Sequence, residues 1–244
     1  MKSPRELEVC CRMRASTSLT ATMKRLSTRR LPSQDRARRS LTALLHSAER
    51  LIEKDGFDQV TTKSIAEAAG LSIGLVYEYF PNKESILLEL GRQWMHGIRA
   101  IVEELHPTRS GITDVLTLLN RGLASTEKHY RDRPGLGAVI NSLSAIPELR
   151  EVERAHDNHC VECLVGAMKY LHPEADVDEL AAISRCCITM SHSVLNECLV
   201  KRTGDPKRMI PNLKVALFGM LMPILAVRSP LASHDVATVV QKRA

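Results

Sequence analysis

The chain has 244 residues, 44% apolar and only 3% aromatic, which is ample for a core built from Leu, Ile, Val, Ala and Met. Its formal charge of +6 is concentrated at one end: residues 1–34 hold eight basic and two acidic side chains, and the remainder is neutral. Seven cysteines in no disulfide pattern, no apolar leader, and a longest apolar run of Val215–Val227 argue against a secreted or membrane-spanning protein. A reduced, cytoplasmic, soluble protein without membrane partners is expected.

Residues 1–34 read as a basic, disordered extension, suited to nucleic acid or to plain solvation. Leu41, Leu44, Leu45, Ala48, Leu51 and Ile52 then repeat at helical spacing, and Gly56 marks a left-handed end. Thr61 or Thr62 starts a short helix holding Ile65, Ala66 and Ala69. Gly70 turns the chain, Ser72 caps Ile73–Tyr79, Pro81 stops it, and Asn82 caps a longer helix through Trp94. Short helix, glycine turn, short helix is helix-turn-helix spacing. Further helices are predicted near 111–131, 135–146, 147–171, 176–202 and 207–228, with breaks at Pro107, Pro134, Pro147, Pro173 and Gly204–Pro206. The last two are the most apolar and are expected to form a dimer interface, with Leu217 and Leu221 in it.

The run TTKSIAEAAGLSIGLVYEYFPNKESIL, with the helix DRARRSLTALLHSAERLIEKDGFDQV before it, resembles the DNA-binding domain of the TetR family. The likeness covers about residues 36–95. It implies an all-α fold with an N-terminal three-helix helix-turn-helix domain (35–83), a connecting helix (84–106), and a C-terminal helical ligand-binding and dimerisation domain (107–230). A tail at 231–244 follows. It implies a homodimer on double-stranded operator DNA, a repressor released by a small-molecule effector, with no catalytic activity and no cofactor.

By that resemblance Thr62, Tyr77, Tyr79 and Lys83 are phosphate contacts, and Lys63, Ser72, Ile73, Gly74 and Leu75 lie nearest the bases. The third helix frees one face for a major groove, which admits one α-helix. Tyr77 and Tyr79, two residues apart, cannot both face the core. Lys83 opposes the dipole of its own helix, so its loss is expected to cost no stability. Trp94, Met95, Tyr130, Asn141, Met168 and His192 are candidates for the effector pocket.

His156, His159, Cys160 and Cys163 share one helical face, which raises a metal-responsive alternative, although ligands in a row fit a tetrahedron poorly. Cys186–Cys187 raises a thiol-responsive one, without an evident cation to activate a thiol. Enzyme or pure interaction-module readings find little support. Gly135-x-Gly137 lacks a third glycine, and Ser125–Lys128 lacks its partner motifs.

Overall fold

The computed structural model describes residues 35–146 and 150–222. The basic extension, the C-terminal tail and the end of the last apolar helix lie outside them. The chain runs α1 (Asp35–Asp55), a 3-10 turn (Phe57–Gln59), α2 (Thr62–Ala69), α3 (Ile73–Tyr79) and α4 (Lys83–Glu104). One turn, α5 (Pro107–Ser110), leads to α6 (Val115–Asp132), α7 (Pro134–Ala145), α8 (Arg150–Leu171), α9 (Val177–Leu195) and α10 (Pro206–Met220). Among the described residues there is no strand.

Local chemistry sets these boundaries. Thr61 caps α2 in a reciprocal box with Ser64, and Asn82 caps α4 in the same way with Ser85. Ser72 accepts from the Leu75 amide to start α3. Asp114 and Asp176 cap α6 and α9, while proline opens α7 and α10. Gly70 closes α2 at φ 66°, ψ 31°, a left-handed conformation costly to other residues. Gly56 also has positive φ (78°), but its ψ of 153° is extended, so it redirects the chain into the 3-10 turn without the expected left-handed cap.

One apolar core runs through the molecule. Leu44, Ala48, Val76 and Phe80 bury the three-helix head. Ile86, Leu87 and Leu90 continue it along α4 into a body of α6 to α10. The head is not separate from this body. Helix α1 packs on α7 as well as on α2, and α4 lies against α6, α7 and α8. Two ion pairs cross the junction: Arg133 to the buried Glu49 at 2.5 Å, and Arg202 to Glu53 at 3.7 Å. Helix α9 ends in a π turn, Asn196–Val200. There Asn196 exchanges amide hydrogen bonds with Asn141 of α7, at 2.9 and 3.0 Å.

Leu217 and Leu221 are buried within the chain itself. They hold α10 on the body and are not free for a partner, which removes these two residues from the expected interface. Val177 of α9, and Val215 and Met222 of the α10 region, are the exposed apolar side chains there.

Candidate nucleic-acid interface and effector cavity

Helices α2 and α3 are joined at the surface by two hydroxyls. Thr62 Oγ1 and Tyr77 Oη lie 3.1 Å apart. The Tyr77 ring is exposed (44%), and so is Ile73. Fifteen residues apart in sequence, Thr62 and Tyr77 thus form one polar spot whose oxygens can also meet a phosphate. Lys63 is exposed and pairs loosely with Glu67, at 3.9 Å. The Ser72 hydroxyl is engaged in capping, and Leu75 is half-buried. Gly74 is exposed, and a methyl group added there would meet nothing nearer than the Ser72 hydroxyl at 4.0 Å. Gly74 lies in the first turn of α3, and packing within this chain leaves room for a larger residue there.

Two expected phosphate contacts are placed differently. Tyr79 is only 5% exposed, and its hydroxyl donates to the Ala37 carbonyl of α1 at 3.4 Å. With Tyr77 pointing outward, Tyr79 takes the core side and braces α3 on α1. Lys83 turns back on the head. Its ammonium donates to the carbonyls of Phe57, Asp58 and Val60 at 3.2–3.3 Å, and lies 4.5 Å from the Phe57 ring centre. An ammonium has three protons, and three carbonyls take them. Lys83 is therefore placed as a clamp on the 3-10 turn, and these bonds argue against the expectation that its loss costs no stability.

The body encloses a cavity of about 200 Å³ between α4, α6, α8 and α9. Of the sequence's candidates for an effector pocket, Trp94, Met95, Tyr130 and His192 are among its lining residues. Asn141 and Met168 are not. Asn141 is engaged with Asn196, and Met168 is fully buried in the core. Within the cavity wall Tyr130 meets Trp94 edge-on, at 4.5 Å between rings, and bonds His192 Nδ1 at 2.5 Å. Burial lowers the proton affinity of His192 and raises that of Tyr130, so both stay neutral.

Sequence reasoning missed the polar end of this cavity: Glu153, His156 and Asp157 on α8. Arg99 of α4 donates to His156 Nδ1 at 3.3 Å. Burial, then Arg99, hold this imidazole neutral down to about pH 3. Burial, then the Glu153 carboxylate, push Asp157 up to about 6. The missed signal was spacing: 153, 156, 157 and 160 recur on one face of a helix.

The proposed metal face is occupied by its own pairings. Cys160 lies 3.7 Å from His156 Nε2, Cys163 lies 3.6 Å from His159 Nε2, and His159 also reaches Glu103 at 3.1 Å. Among the described residues no group of three or more His, Cys, Asp or Glu is arranged to hold a metal ion. Burial pushes the Cys160 and Cys187 thiols to about 12, the opposite of activation for redox sensing.

Residues 44–90 match the profile described as bacterial regulatory proteins, tetR family. A curated regulator of Mycolicibacterium smegmatis, EthR, is 42% identical over 48 residues. Residues 44–90 thus carry a DNA-binding head of the TetR type. That EthR alignment covers 20% of this chain and 22% of EthR, so it speaks for the head alone.

Solved structures carry the TetR likeness, as a fold, through the body. The fatty acid degradation regulator FadR of Bacillus halodurans superposes with a TM-score of 0.58 at 21% identity, over 75% of this chain and 96% of FadR. PfmR of Thermus thermophilus, a TetR-family regulator, gives 0.54 at 21% over 79% and 97%. NalD, the secondary repressor of the MexAB-OprM multidrug efflux pump in Pseudomonas aeruginosa, gives 0.57 at 21% over 77% and 98%. No helix among the described residues is long and apolar enough to cross a membrane.

Proposed function

We propose that this chain acts as a homodimeric repressor of the TetR type. It holds operator DNA through α2 and α3 and releases it when a small molecule fills the cavity. The observation that carries the DNA reading is the exposed face of α3. Ile73 and Gly74 stand clear of the body beside the Thr62–Tyr77 hydroxyl pair, a helix edge shaped to lie against a duplex. Lys63 and the first turn of α3 then lie nearest the bases. The exposed Val177, Val215 and Met222 supply the apolar surface for a second copy.

The same reading gives a route for release. Trp94 and Met95 in the cavity wall sit on α4, the helix whose first residue clamps the head. Tyr130 lies three residues before Arg133, which grips Glu49 of α1. A ligand that displaces α4 or the end of α6 therefore acts on both attachments. Release requires the ligand to favour the displaced state over the DNA-bound one.

The test is selection of binding duplexes from a random-sequence pool by the purified full chain, followed by a salt titration on the winner. The expected result is a two-fold site bound by two copies, with preferences altered by Lys63→Ala and Gly74→Ala. A pool that never enriches would refute the DNA reading.

A further inference from the structure

The cavity has two unlike ends. Leu118, Leu119, Leu123 and Ile140 belong to its apolar wall, while Glu153 and Asp157 bring two carboxylates one helical turn apart. Among the described residues no lysine or arginine lines it, and burial lowers the proton affinity of both lining imidazoles, His156 and His192. The lining thus offers two carboxylates and, among the described residues, no cationic side chain; Arg99 stands behind it, bonded to His156. Arg185 of α9 acts on Asp157 from outside the lining, and its guanidinium donates to Asn158 Oδ1 at 2.7 Å. No ion pair joins Asp157 to a described residue. Its raised pKa is what a buried carboxylate short of counter-charge shows. Near neutral pH it is nonetheless mostly ionised.

We propose that the ligand of this cavity is a small organic cation, an apolar body bearing a tertiary or quaternary ammonium that docks against Asp157. The proposal rests on the reading of the cavity as the effector site and names the chemical class of that effector. Glu153 adds to the attracting field. Trp94 and Tyr130 are also in the lining, and aromatic rings attract cations by their quadrupoles. A weakly hydrated ammonium surrenders its water to such a site cheaply. A bare metal ion needs several converging donors, and the described residues offer none so arranged. An anion such as a fatty carboxylate would add a third negative charge to a partly dry space. The cavity, about 200 Å³, has room for a ligand about the size of hexyltrimethylammonium.

Trp94 is the only tryptophan in the chain and lines the cavity, so its fluorescence reports occupancy directly. Three probes of one chain length separate charge from greasiness: hexyltrimethylammonium, 1-hexanol and hexanoate, titrated into the full chain at pH 7.5. The cation should bind at least about tenfold tighter than hexanoate, with hexanol between them. Asp157→Asn should erase most of that preference and leave hexanol binding unchanged; Glu153→Gln should reduce it less, and serves alone if the first variant does not fold. Hexanoate matching the cation, or a cation preference that survives both substitutions, overturns the proposal. Hexanol bound without any preference for the cation sinks the proposal while leaving the cavity as an effector site. If no probe perturbs Trp94, the effector-cavity reading falls and the proposal with it.

Discussion

Head and body hold their polar groups by different means. In the head the partners are mostly backbone atoms or near neighbours: Thr61 with Ser64, Asn82 with Ser85, and the Lys83 ammonium on three carbonyls of one turn. In the body they are side chains far apart in sequence: Tyr130 with His192, Arg99 with His156, Asn141 with Asn196. The head is therefore fixed by local geometry and keeps its α3 surface under small changes elsewhere. The body is fixed by how its helices sit against each other, so a ligand or a proton between them acts on the whole arrangement. On the function proposed above, a locally fixed head on a frame held by distant contacts suits a ligand-released DNA binder.

The largest effect should come from protonating the body. The folded pKa of His156, about 3, lies below its ordinary 6.5. The stability it contributes is complete above pH 6.5 and is lost as pH falls toward 3. About 3 kcal/mol should be gone by pH 4.5. Asp157 has a raised folded pKa and works the other way, gaining stability below about pH 6, which offsets part of the loss. Comparing wild type with His156→Gln by urea melts isolates the histidine. The gap between them should shrink by about 3 kcal/mol from pH 7.5 to pH 4.5; a constant gap would place acid sensitivity elsewhere.

In the head, Lys83→Met should cost about 2 kcal/mol, because it strands three carbonyls and removes a cation from the Phe57 ring. The salt dependence of DNA binding should stay as in wild type. A folded variant of full stability whose log–log salt slope drops by about one would return Lys83 to the phosphates. Between the two regions, a double-mutant cycle on Glu49→Gln and Arg133→Met should show a coupling of about 1 kcal/mol, modest because the arginine is partly solvated. Strict additivity would mean that this pair does not tie head to body.

The head was the more legible part in sequence, because its capping bonds are local. Ser72, Asn82 and Gly70 act through bonds to residues at most four positions away, so residue type and spacing contain the whole interaction. The intrachain partners of Tyr79 and Lys83, Ala37 and Phe57, were not legible because they lie 42 and 26 residues away. In the body, Trp94, Met95, Tyr130 and His192 were found at the cavity on residue type alone. Asn141 fails the same criterion because its polarity is spent on Asn196 across a π turn that no periodicity announces. Asp157 was passed over because a charged residue mid-helix reads as a solvated one until α9 is laid against it.

The smallest effect is the most specific test of the head. Tyr77→Phe removes one exposed hydroxyl and keeps the ring, so stability should change by no more than a few tenths of a kcal/mol, the value of an exposed neutral hydrogen bond. DNA affinity should fall about fivefold, and by the same factor on a selected and a scrambled duplex, because phosphates are common to both. Thr62→Val removes the other hydroxyl of the pair and should lower affinity in the same sequence-blind way. If the two oxygens address one phosphate together, the double variant should lose less than the product of the single losses. Losses that multiply would assign the hydroxyls to separate phosphates. A loss confined to the selected duplex would move Tyr77 to the bases, and the reading edge of α3 would then have to be redrawn around it.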